Sequence, residues 1–504
     1  MKNKVFIVTA NLSIFLFMLV VLALWSSRLL TEWGTDFGIY YAGAYFIDDE
    51  YRLYKELFDH KGPLYYLFLK AIGLLIGWGS FQAYLSLFLT LLAFYIPAFL
   101  ILLRQNLSPP LLLSGVILCL LLLFGQNTNS SIAFFQGAFL LISFYFLTAT
   151  KNNFNFILSL IFFVLAVFVR IDALVFLPIY FFYALHEEGD FSYKKNGLKV
   201  FLILSSFPLI FVLLSKALGF DFYEFYEHNI VFNYWYKSES ILSIFYRPTH
   251  FSIISSSLTI IPIFLLRHRF LSLIGDSSKL IGKILRPNFL SRQAKMNFIY
   301  IGIFFLSTIL WAISASDKNY HLLVFTIPLV FILLNNVRFI TTSGLRLLIY
   351  PALALYPLAL ALAPPLKVLI KNPECITDPY CSSSKIVEYV ESINFLSKQP
   401  NAEVSIIGGR GWTYFYSGKR PARSLNDWWL YYKTDPFLTD SLNHQHEKLL
   451  SGQVGNFFLV DNMLLNNQEN RSPLLKEILA NSVQIQDQGK YSIFRLSTTK
   501  KVNL

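Results

Sequence analysis

The sequence predicts an all-α polytopic membrane bundle with about eleven transmembrane helices, followed by a small C-terminal extracytoplasmic α/β domain. The chain of 504 residues is 55% hydrophobic and only 14% charged, whereas soluble domains carry about 25% charged residues. Apolar runs near the ~20-residue length that spans a hydrocarbon core recur over roughly the first 365 residues. Beyond them, helical and strand patterns alternate, which indicates a separate folded region.

The predicted crossings follow one another along the chain between polar or turn-forming segments. They cover residues 5–27, 82–103, 111–125, 132–149, 154–169, 171–185, 197–217, 250–266, 297–313, 321–338 and 344–363. The first run follows Lys2 and Lys4 and lacks a small-x-small cleavage site. We therefore interpret it as an uncleaved span and not as a signal peptide.

The orientation follows from the distribution of basic residues. The stretch from Arg267 to Lys295 holds seven Lys and Arg against one Asp, and short loops rich in Lys and Arg stay cytoplasmic. Counting from this loop places the N-terminus in the cytoplasm and segments 28–81, 218–249, 314–320 and everything after 364 outside. These inside and outside assignments agree along the whole chain only if the apolar segment 63–77 lies in the outer leaflet without crossing.

Two domains are expected: a transmembrane domain over 1–364, with a first outer loop at 28–81, and an extracytoplasmic α/β domain over 365–504. In the latter, "SKIVEYVESINFLSK" has helical apolar spacing. The stretches "AEVSIIGG", "GNFFLVD" and "YSIFRLS" are typical of strands.

Charge and cysteine content narrow the function classes. The formal net charge is +12, but the cations lie mostly in loops between spans, so topology and lipid headgroups explain them better than nucleic acid does.

Cys119 lies in an apolar run and is expected to be an inert thiol. Cys375 and Cys381 flank "CITDPYC"; outside the cytoplasm they form a candidate disulfide, the alternative being two unpaired thiols.

Asp36, in "WGTDFGIYYAGAYF", is the candidate catalytic base. It closely follows the first span, so it is expected near the outer membrane surface beside aromatic residues. A partly desolvated carboxylate there suits general-base chemistry. The alternative is an ordinary loop Asp at the interface.

Lys61, in "YKELFDHKGPLYYLFLK", is the candidate ligand for a phosphate. A helix can begin at Pro63, because Pro is tolerated in a first turn, and Lys61 then lies beside the helix N-terminus. An ammonium opposes the helix dipole there but adds to an anion site. The alternative is a snorkelling interfacial Lys.

Further candidates lie at other span boundaries. Arg170, in "FVRIDALVFLP", either binds a phosphate or forms a local ion pair with Asp172, and the sequence favours neither. Candidate substrate-binding residues are Asp59, His60, Asn233, Tyr320 and His321, of which the last two lie in "SASDKNYHLLVFTIP". For His321 alone, the alternative is an ordinary interfacial histidine.

The order of these motifs resembles the GT-C superfamily of polyprenyl-phosphate-sugar-dependent glycosyltransferases. The likeness is to the bacterial protein mannosyltransferase and lipid A aminoarabinose transferase branch. It rests on "TDFGIYYAGAYF", "LYKELFDHKGPLYY", "FVRIDALVFLP", "NYHLLVFTIP" and the C-terminal "VSIIGGRGWTYFYSGKRPARS". The resemblance therefore covers nearly the whole chain.

This resemblance implies a GT-C-like bundle and an inverting sugar transfer at the outer face of the bacterial inner membrane. The donor would be a polyprenyl-phosphate sugar, and the acceptor a hydroxyl of a lipid, glycan or protein. Asp36 would be the base and Lys61 would contact the donor phosphate. Some relatives bind a divalent metal near the Lys motif; His60 is a candidate ligand, but the sequence offers no clean ligand set, so the metal stays unknown.

The chain also departs from the family pattern. Phe37 stands where many members have a second acid, and Gly62 where many have Pro. Tyr320-His321 reverses the order that many members show.

Other readings remain open: a transporter or flippase, a polymerase or ligase of polyprenyl-linked glycans, and an assembly scaffold. Transporters often carry inverted repeats, and none is visible here. A polymerase or ligase would use a large late outer loop and would not need Asp36. The sugar, the acceptor and the oligomeric state are not predicted.

Overall fold

The structure is a computed structural model, and it describes the N-terminal half almost continuously and the rest in short segments. The described residues are 2–31, 35–48, 51–54, 57, 59, 61–120, 131–149, 153–185, 193–231, 299–300, 302–303, 306, 327–328, 330–335, 394–399, 404–407, 414–415, 417–419, 457–466, 473–488 and 491–496. The chain forms two compact units. The first comprises Met1–Leu29, Tyr84–Leu214 and Ile230–Lys371, and the second Leu30–Ala83, Ser215–Asn229 and Asn372–Leu504.

Helices dominate the N-terminal half, and a small sheet lies in the C-terminal part. The helices are α1 Lys2–Thr31, α2 Thr35–Phe46, α3 Pro63–Ile76, α4 Ser80–Arg104, α5 Pro109–Leu120, α6 Ser131–Thr148, α7 Asn153–Val169, α8 Leu177–Leu185, α9 Tyr193–Leu218 and α10 Phe222–Tyr226. A 3₁₀ helix, Ile171–Phe176, precedes α8, and a π-helical turn, Glu227–Val231, follows α10. The C-terminal elements are β1 Val404–Ile407, β2 Phe457–Asp461, α11 Asn462–Asn466, α12 Pro473–Ala480, β3 Ser482–Gln488 and β4 Tyr491–Leu496.

Four helical segments in the described part are long and apolar enough to cross a membrane: Val5–Ser26, Phe81–Arg104, Ser131–Thr148 and Gly197–Leu218. They confirm the predicted helices at 5–27, 82–103, 132–149 and 197–217. The described parts thus form a helical membrane bundle. Predicted spans 250–266 and 344–363 lie outside the described residues, and 297–313 and 321–338 are described only in part. The number of crossings therefore stays a prediction.

The predicted span 171–185 is helical along its whole length. It consists of the 3₁₀ helix Ile171–Phe176 followed directly by α8, which has Pro178 in its first turn. Proline has no backbone N–H and is tolerated at a helix start but not in an interior. Arg170 is the N-cap of the 3₁₀ helix and is extended, with φ −153° and ψ 129°, so it separates this helix from α7.

In the first unit, small hydroxyl residues hold neighbouring helices together. Ser143 on α6 and Ser159 on α7 donate to each other's backbone carbonyls, both at 2.7 Å. The Tyr180 hydroxyl from α8 joins them. Small and hydroxyl-bearing side chains are the usual contacts between membrane helices. Cys119 is free and buried on α5, as expected for a thiol in an apolar run.

In the second unit, aromatic rings fill the space between α2 and its neighbours. Tyr40 makes edge-to-face contacts with Tyr65 and Tyr66 of α3, with ring centroids 5.5 and 5.8 Å apart. Tyr41 and Tyr45 lie one helical turn apart. Trp78 and Phe415 each contact both of them edge to face, at 4.9–5.4 Å. Phe415 thus attaches the C-terminal segment to α2.

The C-terminal sheet has four strands in the order β1-β2-β4-β3. β1 pairs with β2 in parallel, and the other two pairs are antiparallel. The predicted strands in "AEVSIIGG", "GNFFLVD" and "YSIFRLS" coincide with β1, β2 and β4. β3 was not predicted from the sequence; its two apolar residues, Val483 and Ile485, are exposed on an edge strand. Of the predicted helix "SKIVEYVESINFLSK", only its last residues are described, and 394–397 are helical.

Candidate functional site

Asp36 lies in the first turn of α2 and is half-buried. The next residue, Phe37, is fully buried and anchors this end of the helix. The N-terminus of a helix carries a partial positive charge that stabilises a carboxylate. The fold therefore places the Asp36 carboxylate at the N-terminal end of α2.

Lys61 lies two residues before the first residue of α3, and the predicted start of this helix at Pro63 is confirmed. Gly62 is the N-cap, in an extended conformation, and no side chain caps the first turn. Lys61 itself is half-buried. Lys61 is thus close in sequence to a helix start at which no side chain caps the backbone N–H donors. Such a helix start, with a cation beside it, is suited to binding an anion.

Asp59 is buried, with 7% of its surface exposed, and it is held at both its side chain and its backbone. The Tyr66 hydroxyl from α3 donates to Oδ2 of Asp59. Nδ1 of His228 lies 3.2 Å from the Asp59 carbonyl oxygen. A carbonyl can only accept, so this hydrogen bond requires the His228 proton on Nδ1. The predicted substrate-binding residue Asp59 is therefore part of an internal hydrogen-bonded cluster.

Tyr54 joins the same cluster from an unusual backbone conformation. Its φ is 68°, in the left-handed region, which costs a bulky residue roughly 1–3 kcal/mol. Its ring contacts Phe220, Phe225 and His228 at centroid distances of 5.2–6.0 Å, and its hydroxyl donates to the Lys61 carbonyl. We call Tyr54, Asp59, Lys61, Tyr66 and His228 the Asp59 cluster.

The Tyr54 phenol keeps its proton throughout the physiological range. Burial raises the pKa of Tyr54 well above its ordinary value; the Asn229 side chain lowers this pKa, and the nearby Asp59 carboxylate raises it further. The hydroxyl is therefore a permanent donor to Lys61.

Arg170 lies in the first unit and forms the local ion pair that the sequence left as one alternative. Its Nη2 is 2.7 Å from Oδ2 of Asp172, and both side chains are nearly buried. The amide of Gln136 on α6 donates to Oδ1 of Asp172 at 2.8 Å and to the Arg170 carbonyl at 3.0 Å. The ion pair and the hydrogen bonds from Gln136 give Arg170 and Asp172 a structural role. Binding of a phosphate by Arg170 stays a prediction.

Several predicted residues lie outside the described part of the chain. These are His60, Asn233, Tyr320 and His321, together with the candidate disulfide Cys375 and Cys381. Within the described ranges, no group of three or more His, Cys, Asp or Glu is placed to hold a metal.

Sequence reasoning did not single out Tyr54, Tyr66 or Gln136 as site residues, and it named His228 only among the polar residues of the 218–249 loop that could face a carbohydrate. The polar run Glu227-His228-Asn229 inside an aromatic segment was a usable signal for His228. Tyr54 and Tyr66 are two tyrosines among 29, so nothing local distinguishes them. Their roles arise from contacts with residues 59 and 61.

Solved structures with the same fold are found among membrane proteins, whereas no protein-family model and no curated protein sequence matches the chain. ArnT from Cupriavidus metallidurans bound to undecaprenyl phosphate matches with a TM-score of 0.53 and 13% identity, over 96% of this chain and 98% of that one. The apo form of the same ArnT gives 0.52, with the same identity and coverage. The apo oligosaccharyltransferase of Archaeoglobus fulgidus gives only 0.46, at 12% identity, over 96% of this chain and 74% of that one. The chain therefore has the fold of ArnT, lipid A aminoarabinose transferase, as its resemblance to the GT-C superfamily implies.

Proposed function

We propose that the protein is an inverting GT-C glycosyltransferase. It moves a sugar from a polyprenyl-phosphate-linked donor to a hydroxyl of a lipid, glycan or protein acceptor on the outer face of the membrane. The observation that carries the proposal is the position of Lys61, held by the Asp59 cluster at the start of α3, in a chain with the ArnT fold. The ArnT structure that matches contains undecaprenyl phosphate, which supports a polyprenyl phosphate as the donor lipid.

The proposed function needs a particular membrane topology, and the segments that make up the second unit support it. This unit combines Leu30–Ala83, Ser215–Asn229 and Asn372–Leu504. These correspond to three segments that the charge distribution assigns to one side of the membrane. We therefore infer that α3 does not cross, that the N-terminus is cytoplasmic and that residues 365–504 form an extracytoplasmic domain in a bacterial inner membrane.

The chemistry assigns a separate role to each charge. Asp36 accepts the proton of the acceptor hydroxyl as its oxygen attacks the anomeric carbon, and the bond from that carbon to the donor phosphate oxygen breaks. Inversion follows because the attack is on the opposite face from the leaving group. The polyprenyl phosphate leaves with an additional negative charge, which Lys61 stabilises. No metal is assigned a step.

The decisive experiment is transfer by the purified protein from a radiolabelled undecaprenyl-phosphate sugar, with a panel of sugars and lipid extracts as acceptors. Asp36→Asn is expected to lower the rate at least about a hundredfold, because it removes the base. Asp221→Asn is the matched control: Asp221 caps α10, and Asn caps a helix equally well. Asp36→Asn protein with full transfer activity would exclude the proposed role of Asp36.

The same assay separates the rival functions. A flippase would move the labelled lipid across a vesicle membrane without releasing undecaprenyl phosphate, and would tolerate Asp36→Asn. A polymerase or ligase would require a preassembled glycan donor. Either result would replace the glycosyltransferase proposal.

A further inference from the structure

We propose that Tyr54 is a positioning residue for donor binding, acting through Lys61. The inference rests on the proposed function, since it concerns the same phosphate site. It gives a role to a tyrosine of the first outer loop that no sequence motif marks as functional. Tyr54 does not need to touch the substrate; it holds the main chain of the residue that does.

The first support is the conformation of Tyr54 itself. A buried tyrosine in the left-handed region is strained, and such strain persists only where surrounding contacts impose it. The loop supplies these contacts: the Tyr54 N–H donates to the Leu57 carbonyl at 2.8 Å, and the Leu57 N–H to the Arg52 carbonyl at 3.1 Å. The strained backbone directs the ring into the cluster of Phe220, Phe225 and His228.

The second support is the target of the hydroxyl. It donates to the carbonyl of Lys61, seven residues along the chain. Because the peptide bond is planar, fixing this carbonyl also fixes the peptide plane between Lys61 and Gly62. The backbone from which the ammonium group projects therefore has one orientation relative to the start of α3.

The third support is that Asp59 is held as well. Tyr66 binds its carboxylate and His228 its carbonyl. Residues 59 and 61 are thus fixed from α3, from the π-helical turn and from Tyr54, on both sides of position 60. A loop that only connected α2 to α3 would need no such convergence, whereas a cation that must meet a phosphate at a defined place requires it.

The test is a double-mutant cycle on the binding of undecaprenyl phosphate in detergent. Tyr54→Phe keeps the ring and removes the hydroxyl, so we expect the dissociation constant to rise about three- to tenfold, as for the loss of one hydrogen bond. In a Lys61→Gln background, the same change should have almost no further effect, because Tyr54 acts through Lys61. Binding is measured on the monodisperse fraction, so a lower yield of folded protein does not enter the constant.

The matched control is Tyr95→Phe. Tyr95 is another buried tyrosine, whose hydroxyl donates to the Cys119 carbonyl at 3.1 Å in the first unit. Tyr95→Phe removes a comparable buried hydrogen bond from a phenol to a carbonyl, so it shows how a loss of stability alone affects binding. It should leave the dissociation constant for undecaprenyl phosphate unchanged.

The outcomes separate the two proposals. If Lys61→Gln weakens binding and Tyr54→Phe does not, the phosphate site stands and the positioning role of Tyr54 is wrong. Equal effects of Tyr54→Phe in both backgrounds would mean a general structural role and would also overturn it. If Lys61→Gln leaves binding unchanged, both the phosphate site and the role of Tyr54 fail.

Discussion

The two units place charged side chains in their interiors in different ways. In the first unit, Arg170 and Asp172 neutralise each other two residues apart, and Gln136 satisfies the second carboxylate oxygen. In the second unit, the buried Asp59 carboxylate accepts from the Tyr66 phenol, and the next cation along the chain, Lys61, is only half-buried. We propose that the first arrangement serves the fold and that the second serves a ligand.

The largest expected effect on stability belongs to the Arg170–Asp172 pair. Arg170→Met leaves the Asp172 carboxylate buried without its partner, so we expect a loss of about 3–5 kcal/mol in the free energy of unfolding. Unfolding of the purified protein by SDS measures this change. The double variant Arg170→Met/Asp172→Leu should recover most of the loss. A stable Arg170→Met protein that no longer binds undecaprenyl phosphate would instead show that Arg170 is a ligand.

The counterpart in the second unit is Tyr66. Tyr66→Phe removes the donor to the buried Asp59 carboxylate, and we expect a loss of about 1–3 kcal/mol by the same measurement. Adding Asp59→Asn to this variant should restore part of the loss, because a neutral amide is less costly to bury than a carboxylate. If Tyr66→Phe is neutral, the hydrogen bond does not hold Asp59 in place.

A smaller effect is expected at the turn between α9 and α10. Gly219 has a φ of 75°, and an added Cβ would lie 2.8 Å from the Arg52 side chain. Gly219→Ala should therefore lower the free energy of unfolding by about 1–2 kcal/mol. Gly197→Ala, on α9 in open space, is the control and should not destabilise. Equal results for the two would mean that Gly219 needs no left-handed conformation.

The smallest expected effect is at Glu227, on the π-helical turn that carries His228. Burial, and to a lesser degree Glu224, raises the pKa of Glu227 in the folded state. The ionised form thus destabilises the fold, a penalty absent at low pH and complete once the pH exceeds the raised pKa. Glu227→Gln should raise the melting temperature slightly at about pH 7.5 and not at about pH 4. An equal gain at both values would exclude this electrostatic cause.

Much of the helical architecture could be predicted from the sequence, because length and apolarity are local properties of a segment. The four longest described spans coincide with predicted ones, and the start of α3 at Pro63 followed from the chemistry of proline in a first turn. The predicted span 171–185 is helical, but its division into a 3₁₀ helix and α8 could not be predicted, because the apolar run is continuous across it.

The candidate site was predictable only in its charged members. Asp36, Lys61 and Asp59 are noticeable because charge is rare in this chain, and their order along it matched a known pattern. Tyr54 and Tyr66 were not predictable, because their hydrogen bonds reach across seven residues through a loop of irregular backbone. His228 meets Asp59 across 169 residues, a separation at which local pattern carries no information.

The helical membrane character of this protein, the start of α3 and the strands β1, β2 and β4 are local features, since each depends on hydropathy and backbone chemistry over a few consecutive residues. The pairing of Arg170 with Asp172, and the contacts by which Tyr54, Tyr66 and His228 hold residues 59 and 61, could be found only in the folded chain. These choices depend on which side chains meet in the folded chain, where burial makes each hydrogen bond and each charge far more consequential than it is in water.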